Sequence, residues 1–147
     1  MIRGRFGDTT TTPFIEASVH FPRLDIRGYV SFLLDTGASG TVLMPADTRK
    51  MSIGFGLLRN PKISRTVGGL AKGYMEEAVV AFLDKDTKNI YAYEIEIQIF
   101  EPTANNATLP SLLGRDVLNA WRMVIDYPGK KCECTPRAWS FRLSSNH

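Results

Sequence analysis

The stretch with the clearest chemical potential runs from Asp35 to Ser39 and reads Asp-Thr-Gly-Ala-Ser. It follows an apolar segment, so the carboxylate lies beside hydrophobic packing, where ionisation costs free energy unless a partner compensates it. Gly37 allows a sharp bend directly after the acid, and Thr36 supplies a hydroxyl for a hydrogen bond nearby or across an interface. The stretch therefore predicts an acid presented on a rigid loop. An ordinary tight turn is the alternative interpretation.

The element that must position this acid is an apolar strand. Val30, Phe32 and Leu34 alternate with other residues, which predicts a strand from about residue 27 to residue 34 with one face in a core. Further downstream, a second apolar turn reads Leu-Leu-Gly-Arg-Asp from Leu112 to Asp116. Between the two turns lies a Gly-rich segment from Thr66 to Tyr74.

These three features together resemble the retroviral-type (retropepsin-like) aspartic proteases over roughly residues 13–143. The resemblance implies a mainly β fold, a retropepsin-like closed β-barrel or sandwich with a flap hairpin and one short C-terminal helix. It also implies that a strand passes behind the Asp35 loop and that four residues support the site: Leu113, Gly114, Arg115 and Asp116. In the retroviral enzymes this arginine pairs with an acid. Ser39 occupies the matching position here, so that ion pair cannot form and the role of Arg115 stays open.

The resemblance implies peptide hydrolysis by an aspartic endopeptidase, with no cofactor and no metal. The catalytic residues that it implies are Asp35, Thr36 and Gly37. The substrate-binding residues that it implies are Ala38, Ser39, Val67, Gly68, Gly69 and Leu70, the last four in the flap. A plain hairpin turn is the alternative interpretation of the Gly-rich segment.

The number of acidic motifs bears on assembly. Two-lobed aspartic proteases hold two such motifs in one chain, whereas the Asp-Thr-Gly here occurs once in 147 residues. A mechanism that needs two carboxylates therefore needs two chains, so we expect a homodimer with its site on the two-fold axis. The expected further partner is a polypeptide substrate.

Composition indicates one ordinary globular domain. The hydrophobic content is 44% and the charged content 22%, and we predict a flexible N-terminal tail over residues 1–12 and a single protease domain over residues 13–147. No apolar run approaches the roughly 18–20 residues of a membrane span, and the N-terminal residues lack the apolar core of a signal peptide. We therefore expect a cytoplasmic protein that does not bind membranes.

Two other features invite different functions. The segment from Arg49 to Lys72 holds six basic residues and no acidic one, but its aromatic content is limited to Phe55, so we expect a solvated face and no nucleic-acid partner. Cys132 and Cys134 are too few for a zinc site, and two unpaired thiols in a loop are the simpler interpretation. A retropepsin-like binding or dimerisation module without catalysis remains the main alternative to the enzyme.

The remaining elements follow from periodicity and turn residues. We expect a helical turn that begins at Pro45 and a loop from Pro128 to Pro136. Strands are predicted at about residues 14–21, 41–44, 75–83, 91–99, 123–127 and 139–143. In the family, a terminal strand such as the last of these helps to form the dimer sheet.

Overall fold

The computed structural model describes residues 1–66 and 69–144, with only the backbone of Thr66. Strands dominate this part of the chain. The first six are β1 (Ile2–Arg3), β2 (Arg5–Phe6), β3 (Pro13–Phe21), β4 (Ile26–Leu34), β5 (Val42–Leu43) and β6 (Asn60–Thr66). The others are β7 (Gly69–Leu83), β8 (Ile90–Phe100), β9 (Leu112–Leu113), β10 (Trp121–Asp126), β11 (Lys131–Pro136) and β12 (Phe141–Leu143). Two short helices are α1 (Pro45–Lys50) and α2 (Arg115–Leu118), and Phe55–Leu57 forms a 3-10 turn.

The larger sheet closes on itself. Its strand order is β12-β8-β5-β9-β4-β3-β7-β6, and β7 pairs with β8 as well as with β3. The strands β8, β5, β9, β4, β3 and β7 therefore form a closed ring, which is a small barrel. β2 adds to β3, and β6 extends from β7 as one arm of a hairpin. A second sheet has the order β1-β11-β10.

One hydrophobic cluster joins the barrel to the second sheet. The side chains of Phe21, Phe32 and Phe82 are fully buried in it. The Trp121 Nε1–H of β10 donates to the Tyr93 hydroxyl at 2.7 Å, and that hydroxyl donates to the Ala138 carbonyl at 2.8 Å. Because both polar tips are paired, these two large aromatic side chains can be buried without an unsatisfied group.

The sequence predicted this architecture correctly in outline. The chain is mainly β with a closed barrel, and α2 is the short C-terminal helix. The strands at β3, β4, β7 and β8 and the helical turn α1 lie where alternation and Pro45 placed them. Over the described residues, no helix is both long enough and apolar enough to cross a bilayer.

The prediction of a flexible tail over residues 1–12 is wrong at its start. Ile2 and Arg3 pair with β11, and Arg5 and Phe6 pair with β3. The side chain of Ile2 is 2% exposed and belongs to the main core. The strands are only two residues long, so no alternation could show in the sequence, yet burial of one isoleucine stabilises the segment.

The prediction of a loop from Pro128 to Pro136 is also wrong, since Lys131–Pro136 is the central strand of the second sheet. Cys132 and Cys134 are free thiols, as expected, but both are buried. They alternate with polar residues, which is a strand pattern once cysteine is counted as a small apolar residue. Their mutual hydrogen bond lowers the pKa of the Cys132 thiol and raises the pKa of the Cys134 thiol.

Candidate active site

The Asp35 loop, residues 35–41, connects β4 to β5 and bends back on itself directly after the acid. The Asp35 N–H donates to the Leu113 carbonyl at 3.0 Å. The Gly37 N–H donates to Asp35 Oδ1 at 2.9 Å, and the Ala38 N–H donates to the Asp35 carbonyl at 3.2 Å. These hydrogen bonds fix the position of the carboxylate within its own loop. Asp35 remains partly exposed, and Thr36 and Gly37 are exposed to solvent.

Strand β9 passes behind this loop by inserting between β4 and β5, the two strands that the loop joins. It runs parallel to β4, with Leu33 beside Leu112 and Leu34 beside Leu113, and antiparallel to β5. Gly114 follows β9 and touches the loop so closely that a Cβ there would lie within 3.0 Å of the Gly40 backbone. The contact explains why the smallest residue stands at position 114.

A buried hydroxyl ties the end of the loop to α2. The Thr41 hydroxyl donates to Asp116 Oδ1 at 2.8 Å and accepts the Gly114 N–H at 3.2 Å. The Thr41 N–H donates to Asp116 Oδ2 at 3.0 Å. Both oxygens of Asp116 are thereby engaged, so this carboxylate serves the scaffold of the loop.

Arg115 holds the centre of the same loop. Its N–H donates to the Ala38 carbonyl at 2.9 Å, and its Nη1 donates to the Thr36 carbonyl at 2.8 Å. The sequence left the role of Arg115 open because Ser39 stands where the retroviral enzymes have a pairing acid. In the structure, the Arg115 guanidinium binds a backbone oxygen in place of that acid. A charged donor makes this a stronger bond than one between neutral groups.

A second polar bridge lies beneath β5. The Ser111 hydroxyl donates to Asp47 Oδ2 at 2.6 Å and accepts the Met44 N–H at 2.9 Å. Ser111 is fully buried, and the Leu33 N–H also donates to its carbonyl at 2.9 Å. This residue thus links β4, the start of α1 and the approach to β9.

The hairpin of β6 and β7 closes with Thr66 opposite Gly69. Its β6 arm is fastened to β8, because Gln98 Nε2 donates to Ser64 Oγ at 2.9 Å. Ala71 on the other arm packs against an apolar cluster of Val42, Met44 and Phe100, which also contacts Leu112. This part of the hairpin therefore packs beside β5, the strand that follows the Asp35 loop, and beside the end of β8.

The base of this hairpin is fixed by an ion pair. Arg23 Nη2 lies 2.5 Å from Glu76 Oε1, and Arg23 Nη2 also donates to the Leu57 carbonyl at 2.7 Å. Glu76 is 5% exposed, so the charge is paired where water has little access. Near the middle, the Glu101 N–H donates to the Lys72 carbonyl at 3.0 Å.

The structure brings together most of the site residues that the sequence suggested. The loop residues from Asp35 to Ser39 adjoin the supporting residues from Leu113 to Asp116 through the bonds described above. Gly69, with φ of +116°, and Leu70 lie at the hairpin end. Val67 and Gly68, two of the suggested substrate-binding residues, lie outside the described residues.

Sequence reasoning missed three residues of the scaffold, namely Thr41, Asp47 and Ser111. The available signal was a polar residue directly beside an apolar run that is expected to be buried. Thr41 precedes an apolar run, Ser111 precedes Leu112 and Leu113, and buried polar groups need partners. Their partners lie 64 to 75 positions away in the chain, so the sequence could not have named them.

The arrangement offers one carboxylate on an exposed, rigid loop. Among the described residues, no group of three or more His, Cys, Asp and Glu side chains is placed to hold a metal ion. The carboxylates of Asp47 and Asp116 accept hydrogen bonds from residues that support the loop. Asp35 is therefore the acid of this region that is presented outward for acid–base chemistry.

Solved structures identify the fold. A retropepsin-like aspartic protease from Rickettsia conorii matches with a TM-score of 0.55 and 18% sequence identity, over 89% of this chain and 95% of that chain. The EIAV protease in complex with the inhibitor HBY-793 matches with a TM-score of 0.50 and 19% identity, over 77% of this chain and 90% of that chain. No protein-family model matches the sequence, and no curated protein gives a significant match. The chain has the fold of the retropepsin-like aspartic proteases.

Proposed function

We propose that the chain is one half of a homodimeric aspartic endopeptidase. The observation that carries this proposal is the Asp35 loop, in which backbone donors and Arg115 fix an outward-facing carboxylate on a retropepsin-like barrel. One such carboxylate per chain is half of the pair that the chemistry needs. The other half comes from Asp35 of a second chain.

The two carboxylates share a proton because like charges about 3 Å apart cannot both ionise comfortably. The ionised Asp35 takes a proton from a bound water, and the resulting nucleophile attacks the peptide carbonyl carbon. The protonated Asp35 of the second chain donates a hydrogen bond to the carbonyl oxygen. Thr36 braces the two loops across the axis, and Gly37 lets the substrate backbone approach.

The hairpin is the proposed flap. Val67, Gly68, Gly69 and Leu70 close over a bound polypeptide and exclude water from the reaction, while Ala38 and Ser39 contact the substrate from below. The packing of Ala71 against the apolar cluster that includes Val42 of β5, the strand that follows the loop, supports this role. The proposed compartment of the enzyme is the cytoplasm.

The outer edge of the barrel supports association of two chains. β12 pairs with β8 on one side, and within the described residues its other side has no partner strand. Phe141 is 38% exposed and Leu143 is 53% exposed there. Exposed apolar side chains on an open strand edge favour pairing with another chain.

The decisive experiment is cleavage-site profiling of a denatured proteome by the purified protein and by Asp35→Asn. We expect cleavage by the wild type and none by the variant, with Asp8→Asn, an exposed acid near the N-terminus, as the matched control. Mixing Asp35→Asn chains into the wild type should lower the specific activity, because mixed dimers hold one competent acid. A fully active monomer in sedimentation would contradict the proposal.

A folded dimer that cleaves no peptide would support the second candidate, a retropepsin-like binding or dimerisation module. The intact Asp-Thr-Gly loop favours the enzyme over this alternative, since loss of catalysis removes the need for an acid at position 35.

A further inference from the structure

A cleft of about 540 Å³ lies between the N-terminal strands β1 and β2, strand β3 and the end of β7. β3 pairs with β7 only from Ser18 to His20 and with β2 only at Pro13 and Phe14, as far as the described residues show. Over Ile15 to Ala17, β3 keeps β4 as its partner strand on one side. The two barrel strands β3 and β7 thus separate, and the part of β3 without a second partner strand includes Glu16 and Ala17, which line the cleft.

The cleft has an apolar floor and a cationic rim. The floor includes Ile2, Ala17 and Phe82, each at most 2% exposed. Arg3, Arg5 and Lys85 lie at the rim, together with one acid, Glu16. Tyr29, 76% exposed, adds an aromatic surface at the opening.

The charges of this rim are only partly compensated. Arg3 Nη1 is paired with Asp86 at 2.7 Å. Arg5 donates to the neutral Ser31 hydroxyl at 3.4 Å, and within the described part of the chain neither Arg5 nor Lys85 forms an ion pair. Two positive charges therefore stand beside an apolar trough and an open strand edge.

We propose that this β3–β7 cleft binds an extended acidic segment of a partner protein, which adds to the edge of β3 as a further strand. Main-chain hydrogen bonds provide the pairing in such strand addition, and pockets for alternate side chains provide the specificity. Apolar side chains of the segment fill the floor, and alternating Asp or Glu side chains meet Arg5 and Lys85. The cleft is separate from the Asp35 loop, so this inference does not depend on the proposed protease activity.

The test uses a fluorescein-labelled peptide of four Glu-Val repeats and the full-length Asp35→Asn protein, which prevents cleavage of the probe. Fluorescence anisotropy should show saturable binding that weakens as salt rises, because exposed charges are screened. Arg5→Glu and Lys85→Glu should each weaken binding roughly tenfold, a change of about 1.4 kcal/mol. The matched control Lys50→Glu makes the same charge change on α1, outside the cleft, and should leave binding unchanged.

Two further probes separate the parts of the proposal. A peptide of four Lys-Val repeats should bind at least tenfold more weakly, and a Glu-Val peptide methylated at alternate backbone amides should lose binding because it cannot add to a strand. Absence of binding, equal loss in Lys50→Glu, or undiminished binding of either altered peptide would overturn the inference. Lys85 lies in an exposed turn, so its variant tests the site even if Arg5→Glu disturbs β2.

Discussion

The Asp35 loop and the β6–β7 hairpin differ in how far their residues are hydrogen-bonded and exposed to solvent. The loop is held from behind by hydrogen bonds of Leu113, Arg115 and Asp116, and its Thr41 is 1% exposed. The hairpin presents Ile63, 65% exposed, and Leu70, 73% exposed, to solvent. A dense polar network suits a group that must keep its geometry, whereas exposed side chains suit a surface that must meet a ligand. Substitutions in the two regions should therefore separate stability from activity.

The largest loss of stability is expected for Gly114→Ala. The added Cβ would lie within 3.0 Å of the Gly40 backbone, which cannot move without displacing the loop, so we expect a loss of about 3 kcal/mol in the free energy of unfolding. Chemical denaturation measures it. Gly54→Ala is the matched control, because a Cβ there meets nothing within 4 Å. Equal stability of the two variants would show that the loop is looser than its contacts indicate.

Thr41→Val should have the next largest effect. The change removes a buried hydroxyl that donates to Asp116 and accepts from Gly114, and it leaves a buried N–H without that partner. We expect a loss of about 1–3 kcal/mol in the free energy of unfolding, measured in the same way. Thr108→Val, at an exposed position, should change the stability by less than about 0.5 kcal/mol. A stable Thr41→Val variant would mean that the network does not hold the loop.

Arg115→Gln should affect activity more than stability. The half-buried guanidinium positions the Thr36 carbonyl at 2.8 Å, so its loss should lower kcat/KM for a peptide substrate by about tenfold, or 1.4 kcal/mol. The unfolding free energy should fall by no more than about 1 kcal/mol. Arg122→Gln on β10 is the control, since Arg122 is exposed. Unchanged peptide cleavage by Arg115→Gln would show that Arg115 does not position the site.

Leu70→Ser should have the smallest effect on stability and still impair function. The side chain is 73% exposed, so the unfolding free energy should change by less than about 0.5 kcal/mol. If the hairpin closes over the substrate, kcat/KM should fall several-fold because an apolar contact is lost. Leu83→Ser, at the other end of β7 and 46% exposed, is the control, because it makes the same substitution on an exposed side chain far from the hairpin end. Equal activity of Leu70→Ser and the wild type would leave the hairpin as a plain surface turn.

The sequence predicted those parts of the molecule whose signals are local. The alternation from Tyr91 to Ile99 predicted β8, and the apolar strand before Asp35 predicted the position of the loop. The prediction from the sequence failed where a residue type was interpreted wrongly. Cys132 and Cys134 suggested unpaired thiols in a loop, whereas both are buried in β11, the central strand of the second sheet.

The other features could not be predicted because they depend on contacts between residues that are far apart in the sequence. Nothing near Arg115 in the sequence points to the Thr36 carbonyl, and nothing near Thr41 points to Asp116. Ile2 and Arg3 form a strand only because β11 lies beside them. Local propensity is weak over two residues, so the tertiary contact decides their structure.

The insertion of β9 between β4 and β5 also sets the order in which the molecule can assemble. Thr36 and Arg115 are 79 positions apart, and closing a chain segment of that length costs about 4 kcal/mol of entropy before any contact forms. During synthesis, the residues of β9 and α2 must therefore leave the ribosome before the acid can be held. Such distant pairing slows folding, so the nascent Asp35 loop stays without its supporting strand until the chain has been synthesised beyond Arg115.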